Sequence, residues 1–223
     1  MIQKIKELKI ILQEGSVDMR TRYIEDLNNI REMEKNVSEL IEVSYDRFIL
    51  YVENNQKNNL EEIIDLDHDI RQYGADIERF CYDLLALQQP VARDLRFLQM
   101  SIKLASTYKR ISNHLAQAAA IILEFPLRDE EREFVKEFIK NQKDMNINSI
   151  QSFEDNDNEL ALRTIEDDQI NNKLFENCLH YLVKLTKTDQ ITPMELSEKV
   201  LFYKYFERVG DRLAKIADYS TRL

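Results

Sequence analysis

Only three glycines, Gly15, Gly74 and Gly210, and three prolines, Pro90, Pro126 and Pro193, punctuate this chain of 223 residues. β-Sandwiches and barrels place a turn about every 8–12 residues, and collagen-like or linker-like chains need far more glycine. Both are excluded, and long helices remain. Proline is tolerated in the first turn of a helix and breaks its interior, so each proline marks a junction. Two polar clusters, residues 54–59 and 154–158, supply two more junctions.

These breaks leave rods near 19–54, 59–88, 91–124, 128–154, 158–188 and 193–222, each about 30 residues, or roughly 45 Å of helix. Six rods with short connections predict an all-α chain of two antiparallel three-helix bundles, 19–124 and 128–223. Residues 1–18 read as a short helical extension with Ile2, Ile5, Leu8, Ile11 and Leu12 on one face.

The two halves resemble each other. Leu196, Val200, Tyr203, Glu207, Gly210, Ala214 and Ala217 alternate spacings of four and three, the seam of a bundled helix. Ninety-eight residues earlier stand Leu98, Ile102, Ala105, Lys109, Ser112, Ala116 and Ala119. Leu98/Leu196, Arg110/Arg208, Leu115/Leu213, Ala116/Ala214 and Ala119/Ala217 are identical in that frame, so the chain reads as an internal duplication.

Charge narrows the function. With 31 basic and 41 acidic residues the net charge is −10, which gives no general attraction to nucleic acid or to an anionic membrane. Cys81 and Cys178 lack partners at ligand spacing and read as buried free thiols of a reducing compartment. The uncharged run from Ile111 to Leu123 is too short to span a bilayer, and Met1–Gln13 lacks a signal-peptide core. A cytoplasmic protein is expected.

The chemistry-bearing anomaly is polar. Glu207 interrupts the second seam, and Asp211 follows one turn later on the same face, where two carboxylates repel. Asp167 and Asn171 repeat that spacing on the preceding helix, with Ile170 expected to point to the core. Facing pairs would make an oxygen-rich site for a hard cation. The alternative is ordinary neutralisation by Arg208, Arg212 and Lys173 in solvated ion pairs. The residues three before His68, His114 and His180 are Asp65, Ile111 and Asn177, so the Glu-x-x-His pattern of helical di-iron proteins is missing. No phosphate loop, nucleophile elbow or zinc-protease motif occurs. No catalytic constellation emerges.

Gln88-Gln89-Pro90-Val91-Ala92-Arg93-Asp94-Leu95-Arg96 resembles a signature of the PhoU family, bacterial phosphate-signalling regulators. Phe206-Glu207-Arg208-Val209-Gly210-Asp211-Arg212 resembles the metal-cluster motif of that family's second repeat. The likeness runs from Met19-Arg20 to the C-terminus. It implies two three-helix bundles, each built to hold a multinuclear cluster of a divalent or trivalent metal such as iron, zinc, manganese or magnesium. Carried over, the second site is intact in Asp167, Asn171, Glu207 and Asp211. In the first, Asp67 persists, but Arg71, Lys109 and Asn113 replace acids or amides and Ser112 replaces glycine. Two added positive charges and two lost negative ones imply metal in the second repeat only. Arg71 and Lys109 are expected to meet Asp67 and Asp69 as a metal-free ionic substitute.

The resemblance further implies a non-enzymatic adaptor, a homodimer peripheral to the membrane through its partners. It would couple the ATPase of the phosphate ABC transporter to a phosphate-sensing histidine kinase and hold the phosphate regulon off. The alternatives are a divergent paralogue serving another phosphate permease or regulator, and an enzyme with a carboxylate-bridged metal.

Overall fold

The computed structural model describes residues 2–223, with side chains described from residue 21 onward. Six helices follow one another: α1 (Ile2–Asn54), α2 (Asn58–Gln88), α3 (Ala92–Glu124), α4 (Asp129–Asp155), α5 (Asn158–Lys187) and α6 (Pro193–Ser220). Among the described residues there is no strand. The fold is all-α, as the sparse glycine and proline predict. The apolar face expected over residues 1–18 lies outside the described side chains.

The junctions fall where the local chemistry requires. Asn55 and Asn156 adopt left-handed backbone, with φ 54° each, directly after α1 and α4. Asparagine tolerates that conformation better than most residues. The side chain of Asp157 then caps α5 by accepting from the backbone N–H of Glu159 and of Leu160, both at 3.0 Å. Thr192 caps α6 by accepting from the Glu195 N–H, with Pro193 in the first turn.

Within each repeat all three helices pack on one another, α1 with α2 and α3, and α4 with α5 and α6. Between repeats the contacts join like with like, α1 to α4 and α3 to α6, while α2 and α5 stay on the outside. The duplication therefore packs about an approximate twofold axis. Phe206 sits at this junction, with its ring 5.3 Å from Phe48 of α1, 5.4 Å from Phe138 and 5.3 Å from Phe202. Asn146 of α4 donates to the hydroxyl and carbonyl of Ser38 on α1 and accepts from the Tyr108 hydroxyl of α3. Buried polar groups so satisfied fix the register between the repeats. Phe202, Tyr203 and Phe206 are all core, and both cysteines are buried and free.

The α3–α6 crossing is antiparallel. Arg96 reaches the backbone of Leu223, Thr107 bonds Tyr219, and the His114 ring stacks on Tyr205 at 5.5 Å. This register brings the middles of the two seams, around Ser112 and Gly210, to the twofold axis.

Candidate metal site and its altered counterpart

In the second repeat, Gly210 lets α5 come close to α6. A Cβ there would overlap Asn171 and lie 2.5 Å from an oxygen of Asp168. That contact decides which face of α5 meets α6. The structure brings together Asn171, Glu207 and Asp211 with Asp168, not with Asp167. The Asp168 carboxyl is pushed up to about 6, first by burial and then by the negative charge of Asp211, with Glu207 adding to it. Asn171 and Asn172 donate to its two oxygens at 3.3 and 3.2 Å and partly offset the rise.

Asp167 is turned toward α4. Its carboxyl is raised by burial and by Asp144, and its carbonyl accepts from Asn141 at 3.3 Å. Ile170 is 48% exposed rather than turned to the core. The reason is rotational: successive residues of a helix point about 100° apart, and the buried Asn171 fixes which one faces inward. Asn171 is itself held by Gln142, which donates to it at 3.2 Å and to the Phe206 carbonyl at 2.7 Å.

Glu207 is buried. One carboxylate oxygen takes the Lys204 ammonium at 2.5 Å, while the other, Oε2, is buried with no hydrogen-bond partner. The neutralising cation is therefore Lys204, not Arg208, Arg212 or Lys173. Among the described residues, no three His, Cys, Asp or Glu side chains converge at metal-ligand spacing. What the site presents is an orphaned carboxylate oxygen, a carboxyl pushed up by neighbouring acids, and an amide, all around a glycine. That donor set, all oxygen, suits a hard cation. Asp168 is the acid in this cluster that the spacing argument does not name. Its signal is the adjacent acid pair Asp167-Asp168, which spacing alone leaves ambiguous.

The first repeat solves the same positions differently. Asp67 accepts from the Ser112 hydroxyl at 2.6 Å and pairs with Arg71 at 3.4 Å. Arg71 thus meets Asp67 as expected, but Lys109 does not. Its ammonium pairs with Glu78 at 2.7 Å, and Asp69 lies beside His68 instead. Gly74 admits the Lys109 stem, which would crowd any Cβ there at 2.7 Å. Asn113 lines the open cleft beside Lys109.

Of the histidines, His68 is exposed, and so is His180. His114 is half-buried, and burial with three nearby arginines lowers its imidazole to about 4. Among the described residues no helix is long and apolar enough to cross a membrane.

Comparison with known proteins agrees with this architecture. The PhoU domain family matches twice, at residues 30–122 and 135–220. The chain is 31% identical over 164 residues to "Phosphate-specific transport system accessory protein PhoU homolog 1" of Methanothermobacter thermautotrophicus, covering 71% of this chain and 74% of that one. It is 24% identical over 208 residues to the PhoU homolog of Borreliella burgdorferi, covering 90% and 93%. The crystal structure of PhoU from Streptococcus pneumoniae superposes with a TM-score of 0.79 at 22% identity, covering 89% of this chain and 94% of that one. That of PhoU from Pseudomonas aeruginosa gives 0.80 at 20%, covering 89% and 96%. Two matched domains, in the order and place of the two helical repeats, establish that this chain belongs to the PhoU family.

Proposed function

We propose that this chain is a phosphate-signalling adaptor that couples the ATPase of a phosphate ABC transporter to a phosphate-sensing histidine kinase and keeps the phosphate regulon off when phosphate is plentiful. The observation that carries this reading is the match to the PhoU domain over both repeats, in a chain whose relatives are named accessory proteins of phosphate transport. It is not an enzyme in this reading and acts in the cytoplasm as a homodimer, reaching the membrane only through its partners. An acidic helical scaffold docks through polar contacts, which weaken as salt shortens the Debye length to about 8 Å at physiological ionic strength.

A hard cation held by Asp168, Asn171, Glu207 and Asp211 supports the adaptor structurally. Bound there, it would offset the repulsion among these carboxylates and link α5 to α6. Asp167 stands on the neighbouring face and orients α5 through α4. The first repeat, with Arg71 and Lys109 in place, carries no metal in this reading.

The test is genetic. A deletion strain should express phosphate-uptake genes in phosphate-rich medium, and the intact gene should silence them. Expression that stays repressed in the deletion rejects the adaptor role. The altered first site favours a second reading, a divergent relative serving another phosphate permease or regulator, which predicts that repressed outcome.

A further inference from the structure

The substitutions that remove acids from the first repeat do more than abolish a cation site. They add charge to an open cleft of about 560 Å³ between α3 and α6, to which α2 contributes Arg71. Arg71, Lys109, Arg110, His114, Arg208 and Arg212 all line it, on a protein whose net charge is −10. A cleft of about 490 Å³ shares Arg71 and Lys109 and is also lined by Asp67, and one of about 470 Å³ shares Arg110 and Arg212 and is also lined by Glu78, so the uncompensated charge is concentrated in the central cleft.

The twofold packing explains the concentration of charge. Arg110 and Arg208 occupy the same position of the two seams, and so do His114 and Arg212. Antiparallel crossing of α3 and α6 carries both copies of each position to one axis, which gathers Arg110, Arg208 and Arg212 around His114. Arg71 and Lys109 have carboxylate partners, but among the described residues Arg110, Arg208 and Arg212 make no ion pair. Arg212 Nε and His114 Nδ1 are buried with no hydrogen-bond partner. A buried polar nitrogen left without a partner is costly. Like charges gathered around a neutral imidazole add to that cost.

We infer that this cleft binds a small, multiply charged phosphate anion of the pyrophosphate class. Guanidinium forks match tetrahedral phosphate oxygens in bidentate pairs, and several uncompensated cations in a row favour two linked phosphoryl groups over one. The residues that line the cleft are all polar or charged. The neutral His114 imidazole offers one further hydrogen bond at the wall of the cleft. The inference stands on this cleft alone and not on the adaptor role.

The test uses the full-length protein with EDTA present, so that metal at the second repeat plays no part. Isothermal titration with pyrophosphate, orthophosphate and sulfate at matched ionic strength should give pyrophosphate a dissociation constant at least tenfold below the other two. The exposed pair Arg110→Gln with Arg208→Gln should weaken pyrophosphate at least tenfold, while Lys184→Gln on α5 leaves it unchanged. In the unmodified protein, the His114 imidazole resonances should shift with the same saturation curve. Equal affinity for pyrophosphate and sulfate, no binding of any of the three, or His114 resonances that do not move would each overturn the proposal.

Discussion

Each repeat buries a glutamate against its third helix, and the two fare oppositely. In the second repeat Glu131 is fully buried, accepts from Lys199 at 3.0 Å and from the Tyr203 hydroxyl at 3.3 Å, and caps the start of α4 through the Arg128 N–H at 2.8 Å. In the first repeat Glu34 is equally buried, but both of its oxygens lack a hydrogen-bond partner. The position equivalent to Lys199, 98 residues earlier, is Ser101, a neutral hydroxyl beside Glu34 that lowers its carboxyl only in part against burial. Burial pushes the Glu34 carboxyl up to about 8. At the next polar seam position the exchange reverses, with Lys109 in the first repeat and Glu207 in the second. Duplicated folds keep their apolar seams because packing demands them, while charges drift freely as long as each repeat finds some local solution. The second repeat became an acidic pocket beside a buried ion pair. The first became a basic surface beside a neutral acid.

The sharpest way to break this contrast is to remove the buried cation. Lys199→Met should destabilise the protein by about 3–5 kcal/mol, because it breaks a fully buried ion pair by removing one partner. Urea denaturation at pH 7 measures it. A loss below about 1 kcal/mol would mean that the Lys199–Glu131 pair does not set the second repeat apart from the first.

Glu34→Gln should act in the opposite direction. An acid whose folded pKa is raised from 4.5 to about 8 makes the folded state bind the extra proton across that window. Its stability contribution is therefore fullest below about pH 4.5 and declines as pH rises through 8. The variant should gain about 3–4 kcal/mol over the unmodified protein between pH 5 and pH 8. Parallel pH profiles for the two proteins would remove the neutral-acid assignment.

The metal proposal sharpens the contrast at smaller cost. Asp168→Asn should weaken manganese binding at least tenfold, about 1.4 kcal/mol, and Asp167→Asn by less, as read by titration calorimetry. Because Asp168 sits near 6, affinity should fall as pH drops through that value, where protons compete for its carboxylate. Glu207→Ala should bring metal content of the purified protein toward zero.

The smallest effect belongs to Lys109→Ala. Its pair with Glu78 is about a quarter exposed on both sides, so stability should change by about 1 kcal/mol or less. Metal content by elemental analysis should not change at all. Equal metal in both repeats of the unmodified protein would overturn the electrostatic reading of the first.

The helices and their ends were legible in the chain because their causes are local. Prolines 90, 126 and 193, the asparagines at 55 and 156, and the near absence of glycine act through backbone geometry within a few residues. The seams and the duplication followed from periodicity, which survives without knowledge of any partner. Asp168 was not legible, because one residue of rotation about a helix axis separates it from Asp167, and only the approach of Gly210 to Asn171 selects the face. Nor was the Glu78 partner of Lys109, which lies on another helix 31 residues away. The unpaired state of Glu34 and the basic cleft lie further still from the sequence. They arise where helices from distant segments meet, and the sign of a buried charge's environment depends on every helix that surrounds it. Local geometry set the six rods; the twofold packing of α1 on α4 and α3 on α6 decided which charges are partnered and which are left facing the cleft.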